Sequence, residues 1–166
     1  MNADSLLLLW MKESWLSDNA MKVWFILGIF IVAALALQVT TTVSSGLNII
    51  IEKIAEAIKQ FEGWSVGSKS YRNNNPGNLK YTGQTGEIGK DTDGEAIFDS
   101  YQSGWNALIR QIEMAFTGES AIYSITDNFY TFFSKYAEGN SQQYAEYVAS
   151  YVGVSPQTTF AELLGA

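Results

Sequence analysis

Residues 47–64 read LNIIIEKIAEAIKQFEGW. Ile50, Ile54, Ala57, Ile58 and Phe61 recur at helical spacing, while Glu52, Lys53, Glu56 and Lys59 occupy the other face. The pattern predicts an amphipathic helix over Leu47–Phe61, with Asn48 as its cap and Gly63 as its stop. It leaves one carboxylate, Glu62, at the helix end between Phe61 and Trp64.

Towards the N-terminus, Val23 to Ile51 form 29 residues without a charge, densest in apolar side chains from Val23 to Val39. At about 1.5 Å per helical residue, such a run matches a hydrocarbon thickness of roughly 30 Å. A transmembrane helix with a short linker is therefore expected over 23–46. A cleaved signal peptide would have a shorter apolar region and a small-residue cleavage site. Residues 1–22 mix Leu6–Leu9, Trp10, Trp15 and Leu16 with Asp4, Lys12, Glu13 and Asp18. They suit an interfacial helix or one docked on a partner protein. Lys22 alone abuts the apolar run, which points the N-terminus inward and the remaining domain outward.

Towards the C-terminus, Ser65 to Gly94 is rich in Gly, Ser, Asn, Asp and Thr, with apolar residues only singly. A loop that long inside a compact domain marks function. Gly86 to Phe98 is expected to form a small hairpin turning at Asp91–Gly94. Three amphipathic helices are then expected: Ser103–Phe116; Thr126–Tyr136, capped by Thr126 or Asp127; and Ser141–Tyr151, capped by Asn140 or Ser141. A short helix near Thr159–Leu164 completes the chain. The expected fold is α+β, mostly α, with one domain over 47–166.

Composition removes whole classes of chemistry. The 166 residues contain no cysteine and no histidine. Disulfides, thiolate zinc sites, histidine-ligated metals and Ser-His-Asp or Cys-His machinery are thereby excluded. No cofactor and no metal is expected. Acid–base chemistry near neutral pH falls to carboxylates, tyrosine or lysine. From Leu47 onward 14 acidic residues face 8 basic ones, a net charge of −6. Such a domain has no footprint for phosphate backbones, so nucleic acid is not an expected partner. Asp91, Asp93 and Gly94 lack the later glutamate of a calcium loop and read as a surface turn.

Glu62 is the catalytic candidate. The negative end of a helix dipole and apolar neighbours both favour its protonated form. A carboxyl of that kind beside a cleft is what general-acid cleavage of a glycosidic bond requires. An ordinary exposed glutamate in a last helical turn is the alternative.

Phe61-Glu62-Gly63-Trp64, Tyr71-Arg72-Asn73-Asn74-Asn75-Pro76-Gly77-Asn78-Leu79, Gly83-Gln84-Thr85-Gly86, Ala96-Ile97-Phe98 and Gly104-Trp105-Asn106-Ala107-Leu108 form a recognisable series. Together with Tyr144-Ala145 and Val152-Gly153-Val154, it resembles the lysozyme-like, lytic-transglycosylase-related domains encoded by bacteriophages, the virion-associated muramidases. The likeness covers about residues 50 to 164, and its most specific stretch is the run from Arg72 to Leu79.

The resemblance implies a lysozyme-like domain that cuts the β-1,4 bond between N-acetylmuramic acid and N-acetylglucosamine in peptidoglycan. It makes Glu62 the acid/base, and Asn75, Asn78 and Gln84 sugar contacts, where turn chemistry is the competing role. Tyr136-Ala137-Glu138-Gly139 is a loose echo of the Tyr-Asn-Ala-Gly motif of lytic transglycosylases, departing at Ala137. Tyr136 either approaches the cleaved bond or completes an aromatic helix face. Glu87, Asp91, Asp93 and Asp99 lie near the hairpin, yet no motif selects a second carboxylate. Transglycosylase chemistry, in which the substrate's own hydroxyl closes a 1,6-anhydro ring, is therefore favoured over hydrolysis.

The further implication is a membrane-anchored component of a phage particle, on an internal membrane beside other virion proteins. It would open the wall locally during entry, with the domain facing the periplasm. An inactive lysozyme-fold structural protein of the virion is the alternative. A free endolysin fits less well with an anchor.

Overall fold

A computed structural model describes the backbone of residues 3–165 and the side chains of Lys22, 27–38 and 45–165. It is mostly helical with one two-stranded sheet, an α+β arrangement dominated by α. The division into two compact units falls between Ser45 and Gly46.

The first helix, α1, spans Ala3–Phe61. It does not begin at Leu47, and Asn48 lies within it rather than capping it. No proline interrupts this stretch, and a lone glycine such as Gly46 costs a helix only about 1 kcal/mol. Among the described residues, no helix is long and apolar enough to cross a membrane. The span expected over 23–46 is therefore unsupported, and its side chains at 23–26 and 39–44 lie outside the description. Within it, Ile29, Phe30, Ile31, Val32 and Leu35 are all exposed. Of residues 1–22 only the side chain of Lys22 is described, so the interfacial or partner-docking role assigned to that segment lies outside the described residues.

The second unit is built around one apolar core. From α1 it takes Ile51, Ile54, Ala55, Ala57 and Ile58, all buried, with Ile50 and Phe61 at its edge. A helical turn missing from the sequence reading, α2 (Lys69–Arg72), follows. Ser68 caps it by accepting from the Tyr71 amide. The expected hairpin is present as β1 (Glu87–Lys90) and β2 (Ala96–Phe98), antiparallel, with an irregularity between Glu87 and Gly89. A bridge pairs Lys80 with Glu95, and the Ala96 amide donates to the Leu79 carbonyl at 2.8 Å. These bonds bring the asparagine-rich loop against the hairpin.

Helix α3 (Tyr101–Thr117) buries Leu108, Ile112, Ala115 and Phe116, and Gly118 ends it in the left-handed conformation. Helix α4 (Phe129–Tyr136) starts at its first aromatic residue, later than the expected Thr126. Its cap is Asn128, whose side chain accepts from the Thr131 amide, rather than Thr126 or Asp127. Asp127 is instead occupied by the Ser124 amide and the Lys135 ammonium. Helix α5 (Ser141–Val152) ends at Gly153, and α6 (Phe160–Leu163) opens with a Thr159–Glu162 capping box. α4 packs on α5, while α3 packs on β2 and α6.

Candidate functional site

Glu62 sits one residue beyond α1, its amide still bonded to the Ile58 carbonyl at 2.9 Å. Gly63 (φ 68°) then turns the chain away, so the carboxyl is fixed at the carbonyl end of a helix. Two side chains hold it. Tyr144 donates its hydroxyl to Oε1 at 2.7 Å, and Asn78 donates Nδ2 to Oε2 at 2.6 Å. Burial pushes the carboxyl above its ordinary value of 4.5; the bonds from Tyr144 and Asn78 oppose that rise, and the charge of Glu95 adds to it. The net direction is upward, towards a carboxyl that keeps its proton.

Tyr144 was not selected from the sequence. It belongs to the buried face of α5, stacked on Phe61 at 3.9 Å and on Phe133 at 4.3 Å between ring centres. A tyrosine buried among rings needs a partner for its hydroxyl. That requirement was the available signal, but the partner lies 82 residues away in sequence.

The asparagine run divides into scaffold and site. Asn73 donates to Asp91 Oδ2 at 2.7 Å, and Asn74 donates to the Phe98 carbonyl at 3.0 Å. Asn75 is fully buried and spends its amide on the Leu79 amide, the Leu79 carbonyl and the Ala96 carbonyl. It therefore has no free edge for a sugar, and its expected role as a sugar contact gives way to a structural one. Asn78 lies in the left-handed region (φ 47°), where asparagine is tolerated better than most residues, and so presents its side chain to Glu62.

Tyr136 donates its hydroxyl to the Gly77 carbonyl at 2.7 Å, pinning the same loop. A Cβ on Gly77 would meet that hydroxyl and Leu108 at 2.8 Å, so glycine is what allows the bond. Gln84 does not reach Glu62; its amide donates to the Lys80 carbonyl and to Glu87.

Glu62, Asn78, Tyr136 and Tyr144 share a pocket of about 220 Å³ with Lys80 and Glu95. A second hollow of about 330 Å³ shares Asn78, Lys80 and Tyr136 with it, and reaches Gln84. A third, of about 450 Å³, runs from Gln84 to Arg110. Of the three hollows, only the first is lined by carboxylates, and it has three: Glu62, Glu95 and Glu138. Gln84 lines both the second and the third.

Glu95, like Tyr144, escaped the sequence reading. It is 8 % exposed, and its Oε1 accepts from Lys69 Nζ at 2.8 Å. Among the described residues no group of acidic side chains is arranged to hold a metal ion. No family model, no curated protein and no solved structure matches this chain.

Proposed function

We propose that the chain cleaves the β-1,4 glycosidic bond of peptidoglycan with Glu62 as general acid. The supporting observation is a desolvated carboxyl, with its ionisation pushed upward, in the wall of a pocket it shares with Asn78, Lys80, Tyr136 and Tyr144. Glu62 delivers its proton to the glycosidic oxygen as the bond to the anomeric carbon breaks, and positive charge spreads over the ring oxygen. Tyr144 and Asn78 fix the carboxyl so that little reorganisation is needed. The lysozyme-like and virion-associated assignments are supported by the resemblance of residues 50 to 164. A lipid tether is supported by the uncharged run from Val23 to Ile51.

Full-length protein incubated with purified peptidoglycan is expected to release soluble muropeptides. Glu62→Gln should slow that release about 1000-fold, within the range usual for a lost general acid. Equal rates for the two proteins, or no release by either, would leave a non-enzymatic wall or virion component as the better description.

A further inference from the structure

We propose that Lys80 sets the substrate class of the Glu62 pocket: its ammonium exchanges Glu138 for a carboxylate on the muramyl substituent, so that acidic wall strands are taken in preference to neutral glycan. This rests on the glycan-cleaving function proposed for Glu62. Among the described residues that line that pocket, Lys80 is the one cation, and it shares the wall with three carboxylates, Glu62, Glu95 and Glu138. Such a wall repels an anionic substituent unless a positive charge stands within it. Peptidoglycan carries that anion on every second sugar, at the lactyl group of muramic acid or on the peptide attached to it.

The other cations lining the three hollows are held elsewhere. Lys135 is bound at 2.6 Å by the buried carboxylate of Asp127. Arg110 is shared between Glu113 and Glu119. Lys80 is held less firmly. Its Nζ lies 3.1 Å from Glu138, whose side chain is 84 % exposed, and 3.4 Å from the Asp93 carbonyl. A pair so exposed contributes little, and an incoming carboxylate replaces it with one of the same charge. The backbone beneath is fixed: Lys80 bridges Glu95, and its carbonyl accepts from Gln84. A flexible stem on an anchored base lets the ammonium change partner. Lys80 also lines the adjoining hollow with Asn78 and Tyr136, so its charge serves both.

Long-range charge alone predicts the opposite preference. The chain carries a net charge of −7, so a wall stripped of its carboxylates should adhere to it more strongly. A wall bound through Lys80 should instead bind more weakly once its carboxylates are neutralised. Glu138 supplies a second contrast. It competes for the same ammonium, so neutralising it favours the substrate, whereas loss of Lys80 removes the substrate's partner.

The test is co-sedimentation of full-length Glu62→Gln, which should bind without digesting, with insoluble peptidoglycan. The wall is used intact or with its carboxyls converted to amides by carbodiimide and ammonia. Amidation should raise Kd about tenfold, as expected for loss of a charge-assisted bond. Adding Lys80→Met should raise Kd for intact wall about tenfold and abolish the difference between the two walls, with circular dichroism unchanged. Lys90→Met, equal in charge and exposed on β1, should leave that difference in place. Glu138→Gln should tighten binding to intact wall about twofold. Strands freed of stem peptides by an amidase keep only the lactyl carboxylate. A tenfold effect of Lys80→Met on them assigns the lactyl group to Lys80, and no effect assigns the stem peptide. Equal or tighter binding of amidated wall, or parallel losses in Lys80→Met and Glu138→Gln, would overturn the role of Lys80, as would binding to neither wall. Release of muropeptides by wild type, measured separately, decides the role of Glu62.

Discussion

At the scale of the residue, Glu62 carries a conflict between stability and chemistry. Burial raises its folded pKa above the ordinary 4.5, so the folded state holds this proton more tightly than the unfolded chain. The resulting stabilisation is complete below pH 4.5 and is lost as pH rises through the folded value. At neutral pH Glu62→Gln, which has nothing to ionise, should melt at a higher temperature than wild type while being nearly inactive. Thermal melts at pH 4 and pH 7 check this, and a gap that does not widen with pH would contradict it. Tyr144→Phe tests the opposite influence. The Tyr144 hydroxyl favours the ionised form, so its loss should move the alkaline limb of the rate profile to higher pH. The removed bond is worth about 1 kcal/mol in stability, and a comparable effect in the transition state is about a tenfold loss of rate. A pH–rate profile with an unmoved limb would show that the bond does not act on Glu62.

At the scale of the element, the loop from Asn73 to Leu79 holds the site in place. Asn75→Ala would strand the Leu79 amide and two carbonyls that its side chain now satisfies. The expected cost is about 3 kcal/mol or more, read by urea denaturation. Asn78→Ala removes one bond at the half-exposed edge of a pocket and should cost about 1 kcal/mol, yet lower the cleavage rate markedly. Similar stability losses for the two variants would contradict this split between scaffold and site. Helix α3 closes on the same loop through Gly104, where an added Cβ would lie 1.9 Å from the Asn74 carbonyl oxygen. That contact is backbone on backbone, so the glycine is required by approach rather than by turn geometry.

At the scale of the whole molecule, composition and the apolar N-terminal run set how the protein meets its surroundings. A net charge of −7 gives no attraction for anionic lipid or wall polymer, so the proposed lipid tether rests on the apolar run alone. The full-length protein is accordingly expected to float with neutral phosphatidylcholine vesicles, equally at low and high salt. Flotation that disappears at high salt would point to charge instead, and none at all would remove the tether.

Periodicity was enough to place α3, α5 and the hairpin, because an apolar stripe facing a core and a Gly-rich turn are local properties. It misplaced the start of α1, since Asn48 can cap a helix only where the preceding chain leaves the helical conformation, and nothing here forces that. The four residues of α2 bury little beyond Ser70 and left no periodic trace. By itself the sequence limited which groups can do acid–base chemistry: without cysteine or histidine it left carboxylates, tyrosine and lysine, and a helix end made Glu62 the candidate. Which residues surround that carboxyl was decided only by tertiary structure. Tyr144, Glu95 and Asn78 come from α5, the hairpin and a left-handed loop position, and packing alone converts those separations into hydrogen-bond distances and a shared pocket wall. Packing likewise withdrew Asn75, because a side chain that satisfies three buried backbone groups has nothing left to offer a ligand.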